Sequence, residues 1–559
     1  KKLKQLDRNG QYGSPEFMAL NTRYNEILNT NTIAYFKGRK KLWIAEGEKV
    51  SKTFCGLEKA NKVRKCISKL KKVVNNDTVH LTSPEEIGEE VFDFYSFLYA
   101  NKDVDLDDIT IDAYFFNNNG ILTNDIPRLS PERKADLDKE ITLTELRLAL
   151  SKAKKDSAPG YSGLSYKFYK TFWADLEMII FNGVKLFERE GKIPSMHRIG
   201  IISLLPKGDK ARDELGNWRP LTLLSCFYKL ISAILANRIT PAVNDIVHPS
   251  QTGFIPGRSI NENLRSNYDI IELAKKYKHP GVILQVDFKK AFDSLSFKFI
   301  NKTLNFFNFG KNFIFWIDSI LKDFTAITLN AGHPSEPFTI GRGCRQGDPL
   351  SPLLFILCVE LLNIRIRNDP DIRAFTVLDI AIPLLAYADD VNIYIEWHEQ
   401  SLRKCIEVMN AFYKLSGLEV NLTKTCCTYI GGPYNPREHR LCPDIQMSWV
   451  TSFKLLGITF DNLHLNVSDN YDLRIKDILD ELRNWEYRLI SPMGRLVVVK
   501  SLGLSKITNV ASTLPSISMA SIDKLENKLF EFIWTKHKTK IKKTEAKLPY
   551  YKGGLNFPD

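Results

Sequence analysis

The sequence predicts a mixed α+β protein of two to four subdomains. Between Leu129 and Leu463 helical segments alternate with short apolar strands, and residues 471–534 carry apolar stripes at helical spacing. At 559 residues the chain is also longer than one hydrophobic core usually organises. Its 44% apolar and 26% charged residues describe a folded, soluble protein. No run of about 18 uncharged apolar residues is present to span a membrane, and no secretory h-region opens the sequence. The expected setting is therefore intracellular, not secreted.

The opening KKLKQLDRNGQYG reads as the middle of a longer protein, and Gly13–Met18 (GSPEFM) reads either as a vector junction with a start codon or as ordinary sequence. Residues 18–75 are expected to be helical, with a basic face and apolar positions at Trp43, Phe54, Leu57, Ile67 and Leu70. The net charge of +13 is concentrated: Lys37–Lys72 holds 13 Lys and Arg against 3 Glu, and Lys536–Lys547 holds 6 Lys against Glu545. A charge run is ordinarily a solvated helix face; two such blocks also suit a phosphate backbone. Residues 76–130, rich in Asn and Asp, read as a partly ordered linker with one helix at 85–100.

After the 129–463 core, Ile475, Leu479, Leu482, Trp485 and Leu489 form one stripe, and Ile522, Leu525, Leu529 and Phe532 form another. A small helical bundle buries such stripes. The nine cysteines form no CxxC pair and no zinc-like spacing, as expected of reduced intracellular thiols.

Leu384–Glu396 (LLAYADDVNIYIE) enters as an apolar run and leaves as a β-branched alternating one, which makes it a hairpin with Asp389 and Asp390 at its tip. Adjacent carboxylates at a turn repel each other, and a cation would relieve that repulsion; alone, such a pair is ordinarily just a turn. GVILQVDFKKAFD adds Asp287 at the end of a short apolar strand, Val282 to Val286. Three acids in one small volume suit Mg²⁺, which binds through a few carboxylates plus substrate phosphates. Two ions about 4 Å apart can serve an in-line phosphoryl transfer. Asp293 reads as a surface or helix-capping residue.

The ordered set NWRPLTLL, QTGFIPGRS, VDFKKAFD, RQGDPLSPLLF, YADD, SGLEVNLTKT and FKLLGITF resembles the successive motifs of reverse transcriptases, and most closely those of non-LTR (LINE-type) retrotransposons. The match runs from Ser157 to Phe460, with weaker likeness in WIAEGEKVSKTFCGLEK, GRLVVVKSLGLSK and KGGLNFPD. Ser162 departs from it, standing where the LINE pattern usually has an acid. The resemblance implies a right-hand polymerase: a basic N-terminal extension with an acidic linker (1–130), fingers and palm (131–463), a helical thumb (464–540) and the start of a downstream linker (541–559).

It also implies that Asp287 and Asp389 bridge two Mg²⁺ ions, with Mn²⁺ as a substitute, and that Asp390 is the neighbouring acid. Lys207 and Arg219 match cations that hold the triphosphate. Phe292 matches a bulky ring that collides with a 2′-hydroxyl and so selects dNTPs. Gln346 and Gly347 match the support of the nascent base pair, and Lys424 a lysine that protonates pyrophosphate. Gly253 and Arg258 are expected along the template path, and Phe453, Leu456 and Gly457 at the primer terminus. The surplus cations Lys62, Arg64, Lys65 and Lys69 are expected to grip the template backbone.

The implied partners are an RNA template, a DNA primer or target, and dNTPs, in a nuclear and cytoplasmic ribonucleoprotein. Target-primed synthesis needs an endonuclease, expected from another part of the same polyprotein. Rival readings are a group II intron or domesticated reverse transcriptase, a catalytically dead RNA-binding scaffold, and an RNA-dependent RNA polymerase. The LINE-like flanking blocks, the intact acids, and Phe292 with YADD argue against them in that order.

Overall fold

The computed structural model describes residues 67–558, apart from 75–76, 102–110, 118–119, 122–125, 209, 331–332, 433–439, 463–466, 487, 489 and 535–540. Expectations placed on residues 1–66, Lys62, Arg64 and Lys65 among them, lie outside the described residues. The described chain divides at Val467 into two compact units. No described helix is long and apolar enough to cross a membrane.

The first unit opens with a hairpin, β1 (Leu70–Val74) and β2 (Asp77–Leu81), followed by α1 (Pro84–Tyr99). Then come β3 (Ile199–Pro206), β4 (Trp218–Leu223), α2 (Cys226–Ile246) and α3 (Ile260–Tyr277). The centre holds β5 (Gly281–Val286), the one-turn helix α4 (Ala291–Ser294), β6 (Phe324–Asn330), β7 (Phe338–Ile340) and α5 (Ser351–Asn368). The unit closes with β8 (Leu384–Tyr387), β9 (Asp390–Glu396), α6 (Glu399–Ser416), β10 (Cys426–Ile430) and β11 (Ser448–Trp449), then the hairpin β12 (Ser452–Leu455) and β13 (Ile458–Asp461).

Two sheets organise this unit. One runs β7–β6–β3–β4, with β3 parallel to β6 and antiparallel to β4. The other runs β8–β9–β5–β10–β11, antiparallel except for the last pair. In β9 the alternation of apolar and polar side chains gives way to a continuous buried run, Val391 to Ile395, because both faces of this central strand are covered. Helix α5 is apolar on all sides and packs against α2 and α6. Its buried charges are paired within the helix or at its end: Glu360 with Arg367, and Arg365 with Asp369 at 2.8 Å. Local signals start the helices as they should: Ser225 caps α2, and Ser259 with Glu262 forms a capping box on α3.

Three sequence expectations are corrected here. The described end of the supposed N-terminal helix, Leu70–Val74, is a strand. The supposed linker contains α1, which belongs to the first unit's core: Ile87, Val91, Tyr95 and Tyr99 are buried at every fourth position. Burial of side chains of this size contributes roughly 1.5–3 kcal/mol each, and the acidic residues of α1 merely cover its outer face. The compact unit thus extends upstream of residue 131. Residues 541–559 are likewise no linker. Phe557 N donates to Ala546 O, and both side chains are buried in the second unit's core.

That second unit is helical, with α7 (Val467–Glu486), α8 (Pro492–Val498) and α9 (Met519–Trp534). The α7 stripe centres on Ile478, Leu482 and Trp485, rotated from the expected Ile475–Leu479 line, and meets Leu529, Phe532 and Ile533 of α9 in one cluster. Ile522, expected in the α9 stripe, is exposed. Arg495 ties the helices together by donating to the backbone carbonyls of Glu486, Arg488 and Phe532.

Candidate active site

The site begins where β5 and β9 end together. Their register pairs Val286 with Val391, and Asp287 and Asp390 are the residues that directly adjoin that last pair. Asp389 occupies the two-residue turn between β8 and β9, and its neighbour Ala388 takes a left-handed φ of 57°. That strain is held by Gln251, a fully buried side chain whose Oε1 accepts from Ala388 N at 2.8 Å and from Gly253 N at 2.9 Å. Residues 250–252 also pair with Ala386 through Thr252 N and Ser250 O. The base of the other acid is sewn down as well. Asp287 N donates to Thr425 Oγ1, and Asp287 O accepts from Asn421 N.

The acids sense one another. Desolvation, with repulsion from Asp287, raises the Asp389 carboxyl. Desolvation first, then repulsion from Asp389 and Asp287, pushes Asp390 up to about 6. Among the described residues no group of three or more His, Cys, Asp and Glu side chains converges closely enough to hold a metal ion by protein ligands alone.

A cationic rim faces the acids. The β3–β4 pairing brings Lys207 and Arg219 to one end of that hairpin, since Leu205 pairs with Arg219. The Asn421–Thr425 turn that fastens Asp287 also carries the exposed Lys424. Lys207 lies within electrostatic reach of Lys424, Arg219 and Asp293, and Arg219 within reach of Asp389. Burial lowers Lys207 and also Lys290, a lysine the sequence reading did not single out.

Behind the rim, α4 is locked to the 343–347 segment. Cys344 N donates to Phe292 O, and a Cβ on Gly343 would meet Asp293 O at 2.8 Å. Gly347 has φ 112°, and a Cβ there would lie 2.8 Å from Thr222 O, so only glycine lets this segment close on β4; Gln346 O accepts from Thr222 N. Asp293, expected at the surface or as a cap, is buried. Its Oδ1 accepts from Tyr99 OH at 2.8 Å, with Gln346 Nε2 at 3.5 Å, and burial raises its carboxyl. Asp348 is buried too, accepting from Ser232, Ser351, Tyr228 and Leu350 N, which fastens the start of α5 to α2.

Phe292 is half-buried and stacks on Phe355 at 4.2 Å, with Phe254 edge-on at 6.4 Å. Phe254 in turn sits 6.4 Å from Tyr387, is 51% exposed and holds a left-handed φ of 57°. It is a second ring at the site that sequence reasoning passed over in favour of Gly253.

Two expected template contacts are engaged inside the protein instead. A Cβ on Gly253 would sit 2.4 Å from Ala388 N, so its glycine serves the hairpin turn. Arg258 spends its guanidinium on the carbonyls of Val247, His248 and Gln251 at 2.7–2.8 Å. Phe453 is buried against Phe460, while Leu456 and Gly457, both left-handed, form the tip of the β12–β13 hairpin. That hairpin joins the acid-bearing strand through Gln285 Nε2 and Lys454 O. Lys69 is exposed just before β1; its neighbours Lys71 and Lys72 pair with Asp213 and Glu90.

Residues 205–460 match the family model described as reverse transcriptase (RNA-dependent DNA polymerase). The chain is 28% identical over 527 residues to the transposon TX1 uncharacterized 149 kDa protein of Xenopus laevis, covering 93% of this chain and 38% of that protein. It is 30% identical over 303 residues to the Pol polyprotein of a type-1 retrotransposable element R2 of Popillia japonica, covering 53% of this chain and 41% of that one. Against the R2DM Pol polyprotein of Drosophila melanogaster it is 24% identical over 429 residues, covering 74% and 39%. The chain thus spans about two fifths of the length of these relatives.

Proposed function

Starting from a chain whose residues 205–460 form a reverse-transcriptase domain of the non-LTR retrotransposon kind, we propose that it extends a primer 3′-hydroxyl with dNTPs on an RNA template. The observation that carries this is the β5–β9 register, which sets Asp287 beside the Asp389–Asp390 turn at one end of the central strands. An all-oxygen donor set in which burial and neighbouring negative charge raise Asp389 and Asp390 fits a hard divalent cation. Mg²⁺ binds through one or two carboxylates plus substrate phosphates, so Asp287 and Asp389 suffice without a third protein ligand. When bound, two such ions activate the attacking hydroxyl and neutralise charge on the leaving group.

The chain's own residues do the rest. Asp287 and Asp389 would hold those ions in the site. Lys207, Arg219 and Lys424 offset the charge that grows on pyrophosphate, Lys424 as a proton donor. The Phe292 ring, stiffened by stacking on Phe355, blocks a 2′-hydroxyl, and Gln346 and Gly347 support the nascent pair. In this reading the first unit supplies fingers and palm, the helical unit the thumb, and the hairpin tip at Leu456 and Gly457 guides the primer end. The biological act is target-primed reverse transcription in a nuclear and cytoplasmic ribonucleoprotein, with nicking supplied by another part of a larger polyprotein.

Primer extension by the purified chain on RNA and on DNA templates, with Mg²⁺ and with Mn²⁺, tests this. Template-dependent dNTP addition is expected on RNA; its absence with both metals would overturn the proposal.

A further inference from the structure

Lys290 is the third residue after Asp287 and the residue before α4. Three features set it apart from an ordinary surface lysine. Its backbone is left-handed, φ 51° and ψ 48°, a conformation that side chains with a Cβ disfavour and that persists mainly where surroundings or function demand it. Its Nζ is buried and has no hydrogen-bond partner among the described residues, although an ammonium carries three donors. The ammonium is held 4.8 Å from the ring centre of Phe94, on α1. A cation–π contact fixes its position without satisfying its donors.

Its surroundings say what is missing. Lys290 lies within electrostatic reach of Lys207, Lys424 and Asp293. Asp293 is the one carboxylate in that set, and its Oδ1 already accepts from Tyr99, with Gln346 beside it. The Lys207 ammonium donates to the backbone carbonyl of Gly216, and it makes no ion pair among the described residues. Lys207, Arg219, Lys290 and Lys424 therefore converge without an ion pair among the described residues. Such an arrangement is costly until a polyanion enters it.

We propose that Lys290 is a further binding residue for the triphosphate of the incoming nucleotide and for the pyrophosphate that leaves, positioned by the Phe94 ring of α1. This rests on the polymerase reading above and adds to it a residue within the matched family segment and a helix outside that segment. The lysine donates to phosphate oxygens from the buried side of the rim, where loss of water strengthens the contact. Phe94 holds the flexible stem in place, so less order has to be imposed when the nucleotide arrives.

The test uses the full chain with Lys290→Gly and Lys290→Asn, both of which tolerate a left-handed backbone, together with Lys290→Arg and Phe94→Leu. Single-nucleotide addition at saturating primer–template gives KM for dNTP, and inorganic pyrophosphate added to the same reaction gives its inhibition constant. Loss of one charge-assisted contact raises both by about ten-fold in the Gly and Asn variants. Lys290→Arg recovers part of the loss, and Phe94→Leu shows a smaller change in the same direction. Thermal stability stays level or rises as backbone strain is released. Unchanged KM and pyrophosphate inhibition in either the Gly or the Asn variant overturns the assignment. So does a rise in KM accompanied by lost stability that arginine fails to rescue. If the unsubstituted chain does not extend a primer at all, the polymerase reading itself falls. Extension by the parent with an unaltered Lys290→Gly KM removes only Lys290.

Discussion

The acid end of the β5–β9 pair and the cationic rim facing it are built in opposite ways. Asp287 and Asp390 each lie next to the Val286–Val391 pair of one ladder, and the Asp389 turn is clamped by Gln251. The cations come from separate places: the end of β3, a face of β4, the residue before α4 and the 421–425 turn. Carboxylates that must hold cations against their own repulsion need a stiff frame. The cations that must meet a highly charged substrate are instead drawn from four separate segments, so that no single one carries the whole of its charge. Damage to the acid end should therefore be nearly all-or-none, and damage to the rim graded.

The largest effect is expected from Asp287→Asn or Asp389→Asn, which should lower primer extension by about 10³-fold or more while thermal stability and RNA affinity stay near the parent's. Asp390→Asn should be damaging but less complete. Substantial Mg²⁺-dependent extension by either of the first two variants would end the two-carboxylate account. Gly253→Ala tests the clamp rather than the acids. The added Cβ meets the Ala388 backbone, so the turn must shift. Misplacement on the ångström scale costs about 10²-fold in rate, to be read as a fall in kcat with primer–template affinity retained. A fully active Gly253→Ala would show that the turn has slack.

Next in size is Phe292→Val, which should raise ribonucleotide use relative to deoxynucleotide by at least about ten-fold if the ring is the steric gate. A constant ratio of incorporation efficiencies would reduce Phe292 to a packing partner of Phe355. The smallest expected change is several-fold. Replacing Lys62, Arg64, Lys65 and Lys69 together by Gln should weaken RNA binding and flatten its salt dependence by roughly 0.7–0.9 per lost contact. First-nucleotide addition at saturating template should barely move. An identical salt slope for variant and parent would make the block a solvated surface.

The acid end was readable because a short apolar run followed by an acid, and an alternating run after Asp-Asp, are local patterns that hydrogen bonding converts directly into a ladder. Gln251 and Phe254 were not, since their work depends on residues that meet them only in the folded sheet. Asp293 and Lys290 look like solvent-facing charges in sequence; Tyr99, Gln346 and Phe94, brought from distant positions, bury them. Arg258 shows the converse, a cation that looked available but is saturated by three carbonyls. The helix at α1 was expected, but its burial in the core, like that of the 541–558 segment, was missed for one shared reason. Their charged outer faces outnumber the few apolar side chains that anchor them.

The bond from Tyr99 to Asp293 also bears on how the catalytic segment can be trimmed. A fragment cut at the expected start of fingers and palm, residue 131, would keep every acid and every rim cation yet lose Phe94, Tyr99 and the whole of α1. Asp293 would be left with the weaker Gln346 contact, and the ammonium of Lys290 would be free to wander. A minimal active polypeptide must therefore start upstream of α1, well before the first residue that carries any of the chemistry.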